Sequence, residues 1–116
     1  MWRFYTRASP GFVVDGEVRY GRVIAVDDTD CIRVTFPHKG KMYRWKCKFD
    51  GMDLPVYNTK EPAEKAIAKV TRAALRDRLL GKLVNVSCGK FDTDKKLLVD
   101  IQVDGKSTIE WLNMFN

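Results

Sequence analysis

Two short acidic stretches carry the residues best suited to chemistry. One is Asp27-Asp28-Thr29-Asp30, and the other is Lys48-Phe49-Asp50-Gly51-Met52-Asp53-Leu54-Pro55. The first lies between two segments of alternating apolar and polar residues, and the second closes a third such segment. Asp30 and Asp53 are therefore expected at the ends of neighbouring strands. Paired carboxylates in that position suit a hard divalent cation, which takes oxygen ligands. The same residues have a plainer reading, because aspartate is common in turns. Asp27, Asp28 and Asp30 could simply end a strand, and Asp53 could cap the Leu54-Pro55 turn. Histidine chemistry has little to draw on: the single histidine, His38, sits in the hairpin-like run Pro37-His38-Lys39-Gly40 and reads as surface. The three cysteines, Cys31, Cys47 and Cys88, show no C-x-x-C spacing. They read as free, partly buried thiols in a reducing compartment, not as a zinc site.

The elements that must position these residues follow from periodicity. Val18 to Val26 reads as a strand, with Val18, Tyr20, Ile24 and Val26 as its apolar positions. After the acidic turn, Ile32, Val34 and Phe36 alternate with Cys31, Arg33 and Thr35. A third strand sets Tyr43, Trp45, Cys47 and Phe49 against Arg44, Lys46 and Lys48, which puts three cations on one face. Residues 54–60 read as a loop. Lys60-Glu61-Pro62 then opens a helix to about Leu80, with Gly81 just beyond its end. Its expected buried stripe is Ala63, Ala66, Ile67, Val70, Ala74 and Leu75. Leu83–Val86 and Leu97–Val103 read as further strands, with Asp104-Gly105 as a tight turn. Thr108 to Phe115 reads as a short helix that tucks in Trp111, Leu112 and Phe115. Residues 1–16 read as an irregular arm whose Trp2, Phe4, Tyr5 and Phe12 pack on the body or on a partner, and residues 17–116 as the domain proper. The order of three strands, helix, two strands and terminal helix predicts an α+β, mainly β fold. Its core is a five-stranded Greek-key barrel of the OB type.

In order and spacing these segments resemble the staphylococcal nuclease (thermonuclease) family, over about residues 18–112. Asp28-Thr29-Asp30-Cys31 is similar to the family's Asp-Gly-Asp-Thr turn. Lys48-Phe49-Asp50-Gly51-Met52-Asp53-Leu54-Pro55-Val56 is similar to Arg-Leu-x-Gly-Ile-Asp-x-Pro-Glu. Gly81-Lys82-Leu83-Val84-Asn85-Val86 resembles Gly-Lys-x-Val-x-Val, and Asp92-Thr93-Asp94-Lys95-Lys96 resembles Asp-x-Tyr-Gly-Arg. The resemblance implies a Ca²⁺ site made by Asp30, Asp53 and the Leu54 carbonyl. It also implies that Lys48 and Lys96 stand where two arginines brace the scissile phosphate. Lysine keeps the charge but loses the bidentate fork. The family's catalytic glutamate is replaced by Val56, which can neither accept a proton nor order a water. Loss of a general base typically costs about 10²–10⁴-fold in rate. Glu61 or Glu64 could replace it only if the loop folded back.

The formal charge of +6 favours an anionic partner, nucleic acid first. The expected nucleic-acid contacts are Arg44, Lys46, Lys48 and Lys96, with Tyr57, Tyr20 or Tyr5 as candidates for base stacking. With 45% hydrophobic and 31% charged residues in 116, the composition is that of an ordinary globular domain and excludes a disordered chain. Apolar runs of a few residues exclude a spanning helix, and Met1-Trp2-Arg3-Phe4-Tyr5 lacks the layout of a signal peptide. The expectation is therefore an intracellular protein. The Lys39-to-Lys48 segment also resembles, in style, variants of this domain in large DNA viruses. Three functions follow: a nucleic-acid-binding domain with a degenerate nuclease site, a weak Ca²⁺-dependent phosphodiesterase, or a structural protein-interaction module.

Overall fold

The computed structural model describes residues 5–114. Trp2, Phe4 and Phe115, expected to pack on the body, lie outside the described residues. The elements in order are β1 (Thr6–Arg7), β2 (Val18–Asp28), β3 (Cys31–His38), β4 (Lys41–Phe49), α1 (Pro62–Leu79), β5 (Leu83–Phe91), β6 (Leu97–Val103), β7 (Lys106–Ser107) and α2 (Thr108–Asn113). Strands run β1-β4-β3-β2-β5-β6-β7, and a parallel pairing of β4 with β6 closes the middle five into a barrel. Closure uses only Cys47↔Leu97, Lys48↔Leu98 and Phe49↔Val99. This is the five-stranded OB-type barrel with one long and one short helix that the sequence predicts, with two short strands added at its edges.

β3 and β4 bury the faces their periodicity assigns. Ile32, Val34, Phe36, Trp45, Cys47 and Phe49 are at most 1% exposed. Phe36 stacks on Trp45 with ring centroids 4.2 Å apart, and the Trp45 indole N–H donates to the Phe36 carbonyl at 3.0 Å. His38 is a correction. It ends β3 instead of sitting in the turn, is buried, and packs 4.7 Å from the Phe12 ring. The turn itself is Lys39-Gly40, both at positive φ (51° and 80°), as a two-residue hairpin loop requires.

β2 departs from its expected pattern. Val18 and Tyr20 are exposed, and Gly21, Val23 and Val26 face inward. A register shift between Val23 and Ala25 switches which parity faces the core, so simple alternation fails across it. Gly21 serves the close approach of β2 to β3, since a Cβ there would lie 2.3 Å from the Thr35 carbonyl oxygen. α1 is likewise rotated from expectation. Ala68, Leu75 and Leu79 are buried, whereas Ala63, Ala66, Ile67 and Val70 face outward. The arm is less irregular than expected: Thr6 and Arg7 pair in parallel with Tyr43 and Arg44, and Ala8 and Val14 join the core. β5 runs on to Phe91, past the expected end at Val86. Cys88 continues its buried alternation, and Gly89 and a register shift before Phe91 hide the pattern. α2 ends at Asn113 and buries Leu112. Its Ser107 cap accepts from the Glu110 N–H at 3.1 Å. No helix among the described residues is long and apolar enough to cross a membrane.

Candidate functional site

Three connections converge at the end of the barrel where β4 meets β6. The β2–β3 turn brings Thr29 and Asp30. Phe49 ends β4, and Gly51, at φ +70°, lets the chain reverse so that Asp53 and Leu54 return toward that turn. Thr29, Asp30, Lys48, Phe49, Met52, Asp53, Leu54 and Val56 line one small cavity of about 120 Å³. Asp30 and Asp53 thus line the same cavity, and Lys48 and Val56 line it with them.

Lys96 arrives from the β5–β6 connection. The Asp92 carboxylate accepts from the Asp94 and Lys96 backbone N–H groups, both at 2.9 Å, while Lys95 takes positive φ. This local turn fixes where β6 begins. It also sets the Lys96 Nζ 3.4 Å from Asp30 Oδ2, a partly buried ion pair. Lys48, from β4, thus lines the cavity with Asp30 and Asp53, and Lys96, from the β5–β6 connection, pairs with Asp30.

The loop carrying Val56 is held by Asp28, Thr29 and Glu64. Asp28 Oδ1 accepts from the Thr29 N–H at 2.7 Å and the Tyr57 N–H at 2.8 Å, and Oδ2 accepts from the Asn58 N–H at 3.1 Å. Burial raises the Asp28 pKa. The three N–H donors and the Arg72 guanidinium more than offset it, so the carboxyl lies below its ordinary value. The Thr29 hydroxyl, fully buried, donates to the Pro55 carbonyl at 2.7 Å. Glu64 accepts from the Val56 N–H at 3.4 Å and the Thr59 hydroxyl at 3.0 Å. Its carboxylate thus braces the loop and is not among the residues lining the cavity. The sequence reading placed Asp28 in the acidic turn and offered Glu64 as a replacement base, and it foresaw the loop-bracing role of neither.

Two cations of α1 lie against the Tyr57 ring, with Lys65 Nζ and the Arg72 guanidinium carbon 4.9 and 4.5 Å from its centroid. Tyr5 and Tyr20 line a separate, larger groove of about 770 Å³ on the barrel wall, with Ile24, Met42 and Leu83. That groove is mostly apolar and lacks paired carboxylates. The smaller cavity is the one where chemistry-bearing groups meet.

Arg44 and Lys46 lie further along the β4 face that carries Lys48. Cys31 is half-buried and free, as Cys47 and Cys88 are free and buried. Burial pushes the Cys88 thiol up to about 11 and raises the other two thiols as well, so none is primed as a nucleophile.

Toward a cation, the donor set at the cavity is Asp30, Asp53 and whatever backbone oxygen Leu54 supplies. No group of three or more His, Cys, Asp or Glu side chains gathers among the described residues. Two carboxylates flanked by two ammonium groups fit a hard cation only alongside an anionic ligand that balances the charge. The sequence matches no protein-family model and no curated protein.

Proposed function

We propose that this chain is a divergent staphylococcal nuclease-like domain that binds nucleic acid through a degenerate nuclease site. The observation that carries the proposal is the composition of the small cavity. Asp30, Asp53 and Lys48 line it and Lys96 pairs with Asp30, but Val56 stands where that family keeps its general base. The cavity thus retains charged groups that hold a phosphate and lacks the one that activates water. The strand continuing from it adds Lys46 and Arg44, and the corresponding face of OB barrels is the one that takes oligonucleotides.

The chemistry assigned to these residues is binding. The Lys48 and Lys96 ammonium groups attract a backbone phosphate as point charges, without the two-point grip of arginine. Asp30 holds Lys96 in place at 3.4 Å. Asp30 and Asp53 are the side chains that would hold a Ca²⁺ ion, and its charge would offset theirs beside an anionic ligand. Val56 supplies no proton acceptor, and the Glu64 carboxylate is engaged by Val56 and Thr59.

A second reading, slow Ca²⁺-dependent phosphodiester cleavage, is favoured by Asp30 and Asp53 lining one cavity. Incubation of labelled single-stranded DNA and RNA with Ca²⁺ or EDTA separates the two, with Asp30→Asn/Asp53→Asn as control. The proposal expects retarded but intact strands in every lane. Cleavage that needs Ca²⁺ and disappears in the double variant would establish the second reading instead.

A further inference from the structure

Beyond the acidic cavity, the outer face of β1, β3 and β4 gathers cations from three separate strands. Arg7, Arg33, Arg44 and Lys46 line a shallow concavity of about 200 Å³ floored by Trp45, and none of the described residues lining it is acidic. The strand register explains the gathering. Arg33 is the direct cross-strand partner of Lys46, Thr35 of Arg44, and Arg7 of Arg44. Cross-strand partners share a face, and like charges placed directly opposite one another destabilise a sheet. The Arg33 guanidinium is held by Asp27 at 2.6 Å.

We propose that this concavity is a phosphate-binding subsite in which Arg7, Arg33, Arg44 and Lys46 hold a backbone phosphate of a strand that continues to the Asp30–Asp53 cavity. The inference rests on the nucleic-acid reading and deepens it by adding Arg7, from the N-terminal segment, and Arg33. Geometry links the two places. Lys46 and Lys48 are two residues apart on β4 and so about 6.6 Å apart along one face, a step comparable to the spacing of neighbouring phosphates in an extended single strand. Because Arg7 lies on β1, docking of that strand completes the subsite.

The test uses the full chain and two probes, a fluorescent single-stranded oligonucleotide and inorganic pyrophosphate. Binding is read by anisotropy across salt concentrations, and pyrophosphate by amide chemical shifts. Arg7→Gln and Lys46→Gln should each reduce the slope of log K against log salt by about 0.7, or about fivefold in affinity at 0.1 M salt relative to 1 M. Lys69→Gln, which removes the same charge from an exposed position on α1, should leave the slope unchanged. Lys46→Gln should not lower Tm, since it removes a like-charge neighbour of Arg33. A merely structural role predicts the opposite. Pyrophosphate should shift the amides of Arg7, Arg33, Arg44 and Lys46. Oligonucleotide binding with unchanged slopes in both variants overturns the subsite and leaves the nucleic-acid reading standing. If the oligonucleotide does not bind but pyrophosphate shifts these amides, the subsite stands with a small phosphate as ligand and the nucleic-acid reading falls. If neither probe binds, both fall.

Discussion

Asp28 illustrates how one carboxylate can matter more for shape than for chemistry. Its oxygens accept three backbone N–H bonds that tie the loop bearing Val56 to the β2–β3 turn. Asp28→Ala should destabilise the fold by about 1–2 kcal/mol near neutral pH, since hydrogen bonds to a charged acceptor are worth about 1.5–3 each and water replaces part of them here. The sign of the pH dependence follows from the lowered pKa. The contribution is complete above the unfolded value of 3.8 and is lost as pH falls through the folded one. Denaturant titrations at pH 7 and pH 2.5 should therefore show a larger gap between wild type and variant at pH 7, and an equal gap would contradict the assignment. Val56 supplies the complementary experiment. Val56→Glu adds a carboxylate at the cavity lining, and Ca²⁺-dependent cleavage should rise by about 10²-fold if the neighbouring groups are otherwise arranged for chemistry. Asp30, Asp53 and Lys48 were legible in the sequence because turn position and strand alternation place them. The loop-bracing role of Glu64 was not, because it depends on where α1 docks, which no local pattern encodes.

At the level of elements, the sequence was readable wherever alternation ran unbroken and misleading wherever the backbone shifted phase. In β3 and β4 the inward residues Ile32, Val34, Phe36, Trp45, Cys47 and Phe49 needed no revision. β2 did, because the bulge near Ile24 puts Val23 and Val26 on one side despite their odd separation. α1 did too, because alanines and aliphatic residues occupy several of its faces and apolar type alone could not select the docked one. Leu75→Ala should cost about 2–5 kcal/mol, as a fully buried leucine does. Val70→Ala, at 71% exposure, should change stability by less than about 0.5 kcal/mol. Thermal or denaturant unfolding of the two variants checks the orientation of the helix directly, and the reverse ranking would place the wrong face on the barrel.

For the whole molecule, closure and charge act together. The β4–β6 pairing spans three residues on each strand, so it leaves the first half of β4 open to β1 while bringing Lys48 to the acidic cavity. The OB order was legible from the succession of elements. The cation surface was legible only in part, because Arg7 and Arg33 join it through strand register that the sequence does not display. Along that surface Arg7, Arg33, Arg44, Lys46, Lys48 and Lys96 surround or lead to one cavity. The measurement that tests this account most directly is the salt dependence of single-stranded DNA and RNA binding by the unmodified chain. If four of the six cations each neutralise a phosphate, log K should fall with log salt at a slope of about −3, with the strand recovered intact. A slope near zero, or no binding at low salt, would contradict it.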